Sequence, residues 1–335
     1  MLALCITQVK LKHLIKSVLN THAELGKCML CPRACGVNRN AGQMGVCKAG
    51  AQVQVARAAL HFWEEPPISG TNGSGTIFLS HCALRCIYCQ NHEIAHAGFG
   101  KVVSENELAK MCLNLQSQGA LNINFVTPTH YAPQIRSAIN IARKAGLSLP
   151  IVWNTAGYET ADAICANNGF VDIYLTDFKY ASSALAKNFS AAPNYPSTAL
   201  AAIEAMLAQV GSLAFDTHAK NERMTRGVVV RHMLLPGCLE DSKRVVKTLW
   251  QHFGESVVLS LMNQYTPVLA TQAQKGSVWA QKRLQQFPEL ANTVSNGEYE
   301  QLLDYADGLG IENYFWQSGG TCSESFIPEF NLSEL

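Results

Sequence analysis

The sequence predicts an α/β chain: a partial (β/α)6-type barrel carrying a cysteine-rich N-terminal extension. Six strand-like apolar runs are separated by helix-like segments between residues 75 and about 265. No G-x-G-x-x-G turn follows any of these runs, and seven of the twelve cysteines fall in two short groups. Alternating strands and helices imply right-handed βα units with parallel strands. Without a glycine fingerprint, a barrel suits them better than a nucleotide-binding open sheet.

The elements follow in order. Residues 1–25 read as an amphipathic helix, residues 28–47 as a cysteine-rich segment and residues 52–57 as an alternating strand. Residues 66–75, rich in Pro, Gly and Ser, form a turn-rich link. The strand runs cover 75–80, 121–126, 150–154, 171–175, 227–235 and 257–261. Ser104 and Glu107 make a capping box that opens a helix to about Gln118, with Gly119 as its stop. Helices are expected over about 132–144, 159–167, 197–210 and 241–253, the region 181–226 holding one helix only. A polar tail after residue 268 contains a helix over about 298–307 and a short aromatic strand at 314–316. The expected division is therefore 1–70 (extension), 71–268 (barrel) and 269–335 (tail).

Composition sets the outer limits. The 335 residues are 48% hydrophobic and 15% charged, enough apolar matter for a sizeable core. With 26 Lys+Arg against 25 Asp+Glu, the net charge of +1 gives no global reason to bind nucleic acid or an anionic membrane. No apolar run reaches the ~18 residues of a membrane span. Basic residues follow the first apolar stretch, the wrong order for a secretory signal, so the cytoplasm is expected. There, twelve cysteines point to metal or cluster ligation rather than disulfides.

Cys82, Cys86 and Cys89 are spaced C-x3-C-x2-C directly after the first strand run, at the catalytic end of a barrel. Three thiolates from one loop hold three irons of a [4Fe–4S] cube and leave the fourth open, as a catalytic metal site requires. A zinc loop with a distant fourth ligand, or buried free thiols, is the plainer alternative. Cys28, Cys31, Cys35 and Cys47 form C-x2-C-x3-C-x11-C, four thiolates in twenty residues. Structural zinc and a second iron–sulfur cluster both fit that set, with four free thiols as the remaining alternative that their clustering disfavours. The isolated Cys5, Cys112, Cys165, Cys238 and Cys322 read as ordinary thiols, with a quenching or relay role as the alternative for Cys238 in the loop after the fifth strand.

The triad and its position resemble the radical S-adenosylmethionine (SAM) superfamily. The blocks Trp63 to Gly70, Gly73 to Gly75, Cys89 to Asn91, Val126 to Tyr131, Trp153 to Tyr158, Asp172 to Tyr180, Arg231 to Gly237 and Gln264-Tyr265 resemble a group named pyruvate formate-lyase-activating-enzyme-like proteins, over roughly residues 27–268. The resemblance implies that SAM chelates the open iron and is cleaved reductively, giving a 5′-deoxyadenosyl radical for hydrogen abstraction. It also implies that Tyr88 lies beside the adenine, that Asn154 and Thr155 lie near the SAM carboxylate, and that Asp177 and Lys179 form an Asp-x-Lys motif able to orient or pair with it. Many relatives end the second strand with Gly-Gly-Glu; here Val126-Thr127-Pro128-Thr129 stands there, leaving Thr127 and Thr129 as candidate amine acceptors. His130 and His232, near strand ends, read either as hydrogen relays or as structural histidines.

Three functions compete: radical activation or modification of a protein, radical modification of a small metabolite or peptide, and non-catalytic iron–sulfur electron transfer or iron sensing. The first two imply a reducing protein such as a flavodoxin or ferredoxin as partner, and the first a protein substrate; none implies nucleic acid or a membrane.

Overall fold

The structure is a computed structural model that describes residues 21–216 and 223–317 together with Phe330 and Leu332. The expected N-terminal helix, apart from Thr21–Gly26, and Cys5 and Cys322 lie outside the described residues.

Among the described residues ten strands make up the sheets: β1 (Val53–His61), β2 (Ser74–Leu79), β3 (Lys101–Val103), β4 (Ile123–Val126), β5 (Ile151–Thr155), β6 (Ile173–Asp177), β7 (Ala214–Asp216), β8 (Arg223–Met233), β9 (Val258–Met262) and β10 (Tyr314–Trp316). Their order is β10-β9-β8-β6-β5-β4-β2-β1-β3, with β7 paired to the start of β8. From β2 through β10 along this path every pairing is parallel. β1 runs antiparallel to both β2 and β3. This is the mixed α/β architecture with a large parallel sheet that the alternating pattern predicts, each parallel pair from β2 to β9 bridged by a crossover of at least one helix.

Alternation along each parallel strand divides the core. Ile77, Phe125, Trp153, Tyr174, Val230 and Leu259 face the helices in the principal hydrophobic cluster. On the other face, Val152, Ile173, Leu175 and Val229 meet Ile68 and Met224 in a second cluster. All six are buried, and each such side chain contributes roughly 1.5–3 kcal/mol. Two residues further along the same face the character changes: Val152 gives way to Asn154, Leu175 to Asp177, Val229 to Arg231 and Val258 to Ser260. The inner face therefore has an apolar floor and a polar upper tier at the C-terminal strand ends.

Local devices hold these ends. Ser104 and Glu107 form the expected capping box on the helix Glu105–Ser117. Gly157 adopts φ +74°, and a Cβ there would collide with the carbonyl of Asp177. The Tyr195 hydroxyl donates to the carbonyls of Ala156 (2.8 Å) and Asp177 (2.9 Å) and accepts from the amide of Lys179 (3.0 Å), pinning β5 to β6.

Some elements differ from expectation. The region after β6 holds two helices, Ser183–Ser190 and Tyr195–Val210, not one. β1 continues to His61, and part of the supposed link is a helical turn, Pro66–Ser69. The polar tail carries two unforeseen helices, Val268–Gln274 and Val278–Gln286, before the expected Asn296–Gly308 and β10. Among the described residues no helix is long and apolar enough to cross a membrane.

Candidate active site

A cavity of about 380 Å³ lies over the polar tier. Each strand of the parallel run from β2 to β10 contributes a lining side chain: Phe78, Val126, Asn154, Asp177, Arg231, Ser260 and Trp316. His61 and Trp63, at the end of β1, line the same space as Phe315 and Trp316 of β10. β1 and β10 stand far apart in the strand order, so the sheet must curl to bring both to one cavity, as a partial barrel does.

Cys86, Tyr88, Cys89 and Gln90 enter the cavity from the loop after β2. Cys82 is not among the lining residues, although its thiol lies close enough to those of Cys86 and Cys89 to be felt electrostatically. Burial pushes the Cys82 thiol up to about 12, with Cys86 adding to the rise. Cys86 and Cys89 are also raised, first by burial; Lys179 opposes the rise at Cys86. A bound cation that takes the place of their protons offsets this cost of ionising the thiols. The Leu84 amide donates to Cys82 Sγ (3.4 Å) and Cys86 Sγ shares a hydrogen bond with Ser190 Oγ (3.0 Å), both arrangements that stabilise bound thiolate. Among the described residues no three His, Cys, Asp or Glu side chains converge tightly enough to share one metal ion. Three cysteines on one loop, two of them at the cavity, are the donor set of an iron–sulfur cube with one corner left open.

The polar tier is one connected network. Arg231 donates Nε to Asp177 Oδ1 (3.0 Å), Nη1 to Glu64 Oε2 (3.2 Å) and Nη2 to Asn154 Oδ1 (2.6 Å). Lys179 Nζ donates to Asp177 Oδ2 at 2.6 Å. Glu64 Oε1 accepts from Asn124 Nδ2 (3.0 Å) and Asn154 Nδ2 (3.1 Å). Burial works against the Asp177 charge, yet Lys179 and Arg231 outweigh it and hold the carboxyl below its usual range. Glu64 and Glu65 go the other way, raised first by burial despite Arg231. Glu65 Oε2 is buried without a hydrogen-bond partner at the wall of the cavity.

Of the side chains singled out from the sequence, the structure brings Cys86, Cys89, Tyr88, Asn154, Asp177 and Lys179 to the cavity wall. Tyr88 Oη is also the end of a chain, Tyr180 Oη at 2.6 Å and then Ser190 Oγ at 2.7 Å, that reaches Cys86 Sγ. Thr127, Thr129 and Thr155 are not brought there. Thr129 and Thr155 give their hydroxyls to the buried Glu159 Oε1, at 2.7 and 2.6 Å, which Trp153 Nε1 also reaches at 2.9 Å. Thr127 ends β4 in a left-handed conformation, φ +60°, with its amide on the carbonyl of Asn154. His130 and His232 each donate to a backbone carbonyl at 2.8 Å, that of Ser80 and of Phe178, and neither lines the cavity. Burial holds both rings neutral, His130 at about 3, as structural histidines are. Glu64, Glu65, Asn124 and Arg231 received no individual role from the sequence. An arginine inside the apolar run of β8, and two glutamates before a double proline, are the signals that mark them.

Residues 68–181 match a family model described as a 4Fe-4S single cluster domain. The matched span includes Cys82, Cys86, Cys89, Asn154, Asp177 and Lys179, and supports a [4Fe–4S] cluster as cofactor of this region. An uncharacterized protein of Methanocaldococcus jannaschii is 23% identical over 318 residues, covering 90% of this chain and 82% of its own length. Two solved structures overlap in part. A radical SAM methyltransferase from Sphaerobacter thermophilus does so at TM-score 0.45 and 14% identity, over 73% of this chain and 67% of its own. Streptococcus suis SuiB, bound to precursor peptide SuiA, does so at TM-score 0.47 and 11% identity, over 71% of this chain and 46% of its own.

Proposed function

We propose that this chain is a radical SAM enzyme, in which Cys82, Cys86 and Cys89 hold a [4Fe–4S] cluster and the cavity holds SAM beside it. The observation that carries the reading is one shared space: two residues of a three-cysteine loop line the same cavity as Asp177, Lys179, Arg231 and Glu65. When bound, the cluster and SAM supply an electron and a sulfonium whose cleavage yields methionine and a 5′-deoxyadenosyl radical.

The chain's own groups bind and orient. Lys179, fixed on Asp177, presents a cation to a carboxylate. Glu65 Oε2 offers an acceptor to an ammonium group, the role that Thr127 and Thr129 were expected to fill. Arg231 locks the Asp177, Asn154 and Glu64 side chains, so the site is organised before a ligand arrives. The apolar floor beneath excludes water from reactive species. The test is anaerobic: the reconstituted protein is reduced with dithionite in the presence of SAM, and products are separated by chromatography. Methionine and 5′-deoxyadenosine in equal amounts are expected, with none from Cys86→Ala. An intact cluster that cleaves no SAM overturns the proposal.

For the substrate we infer a protein or peptide, modified in the manner of a glycyl-radical activase, with a flavodoxin- or ferredoxin-like protein as electron donor. Trp63 and Trp316 support this reading: both line the cavity, yet they are 60% and 58% exposed, which suits a macromolecular contact better than a sealed metabolite pocket.

A further inference from the structure

Cys28, Cys31, Cys35 and Cys47 come together around one small cleft, completed by Arg39 and Gly45. The loop is wound tightly to achieve this. The amide of Gly36 bonds to the carbonyl of Cys28 (2.9 Å) and that of Ala34 to the carbonyl of Cys31 (2.9 Å), with Ala34 and Lys48 in the left-handed region at φ +43° and +66°. Non-glycine residues stay there only where the surroundings over-determine them. At Gly45 a Cβ would stand 2.8 Å from Cys35 Sγ, so a side chain would crowd the sulfur. The Val46 amide points at that sulfur from 3.4 Å.

The cleft is bolted to the triad loop. Arg33, between Cys31 and Cys35, donates Nε to the carbonyl of Ala83 (3.0 Å), Nη1 to that of Ala191 (2.6 Å) and Nη2 to that of Ser190 (3.2 Å). Ala83 lies between Cys82 and Cys86, and Ser190 Oγ bonds Cys86 Sγ. Arg85 returns the contact from the triad loop, donating Nη2 to the carbonyl of Val46, next to Cys47 (2.6 Å). Each loop thus grips the backbone beside the other's cysteines.

We propose that Cys28, Cys31, Cys35 and Cys47 bind a second, fully thiolate-ligated iron–sulfur cluster, and that Arg33 and Arg85 dock it against the Cys82–Cys89 loop within electronic reach. The four thiols ring one cleft, the all-cysteine donor set of an iron–sulfur cube, and the Arg33 and Arg85 bonds set that cleft against the triad loop, a placement that serves a redox centre and adds nothing to a structural zinc. With four protein ligands no corner is left open for chemistry. What remains is one-electron storage: an external donor of the flavin or iron–sulfur class reduces this cluster, which passes the electron to the triad's cluster and is reoxidised, with no bond or proton moved. The first half of the proposal, a second cluster, does not need the SAM reading; the docking half needs only a cluster on the triad.

The test removes the triad from the full chain (Cys82→Ala, Cys86→Ala, Cys89→Ala). After anaerobic reconstitution with iron and sulfide, iron, sulfide and zinc are counted and the iron is examined by Mössbauer spectroscopy. About four irons and four sulfides per chain are expected, the content of one cube. One zinc without iron, or no metal at all, overturns the proposal. If that variant does not fold, Cys35→Ser with Cys47→Ser in the otherwise intact chain serves instead: iron should drop by about half, and an unchanged count overturns the proposal. Docking is read by electron paramagnetic resonance of the reduced intact chain. Spin-coupled broadening that is absent from the triad-less variant is expected; two uncoupled signals overturn that half of the proposal.

Discussion

Arg231 stands in register with Asp177 on one neighbouring strand and Ser260 on the other, its guanidinium dividing three bonds among Asp177, Glu64 and Asn154. Arg231→Met would leave the Asp177 and Glu64 carboxylates buried and short of a cation. Removing one partner of a buried pair costs roughly 3–5 kcal/mol, and we expect a loss of that size in anaerobic urea unfolding. Arg231→Lys, which keeps the charge but not the planar fork, should lose less; equal stability of Arg231→Met and the parent would refute the network. A second residue-scale prediction concerns acid. Burial pushes His61 and His96 down to about 4 from an ordinary 6.5. Between those values the unfolded chain binds more protons, so stability contributed by the neutral rings is complete above pH 6.5 and is lost as pH falls toward 4. His61→Asn with His96→Asn should flatten the stability-against-pH curve in that window, measured by urea midpoints from pH 7.5 to 4.5; curves that stay parallel would contradict it. At this scale the cysteines were legible because their spacing is local. The Glu64–Arg231 pair was not, since 167 positions separate its members and only the fold brings them together.

At the scale of elements, legibility followed burial. Strands β2, β5, β6 and β9 were readable as apolar runs because a parallel strand is covered on both faces. The helix Ser183–Ser190 escaped notice because alanines, serines and one phenylalanine give too short a pattern to mark a buried stripe. The helix Val268–Gln274 escaped because seven residues with two buried ones at its start give no repeating stripe, and Val278–Gln286 because it is mostly exposed. The helix Glu105–Ser117 was read nearly to its ends, because its signal is a cap: Ser104 Oγ accepts from the Glu107 amide and the Glu107 carboxylate accepts from the Ser104 amide. Ser104→Ala removes the first of these bonds, and the expected cost is about 1 kcal/mol in chemical denaturation, with the iron content of the protein unchanged. A loss of iron at equal folding would mean the cap serves the site and not the helix.

At the scale of the whole molecule, the parallel order and the partial barrel were foreseen, while the antiparallel β1 and β3 on its flank were foreseen only as an isolated strand near residue 52. β1 carries His61 and leads to Trp63, and β10 carries Trp316, so the two flanks of the sheet supply both sides of the cavity's rim. Trp63→Ala with Trp316→Ala should leave SAM cleavage in the absence of substrate within about twofold, since both rings stand exposed at the rim, and should weaken capture of a protein substrate at least tenfold, about 1.4 kcal/mol. Fallen SAM turnover with unchanged substrate capture would reverse those assignments.

The curl of this sheet also has a seam. A closed cylinder admits its substrate only end-on, one tip at a time. Here β1 and β3 occupy the outer side of β2, where a closing strand would have to pair, and β10 ends the other side. On the reading of a polypeptide substrate proposed above, a seam of this kind among the described residues would take a length of chain sideways and present an interior residue to the thiol loop, with no free terminus needed to thread the opening.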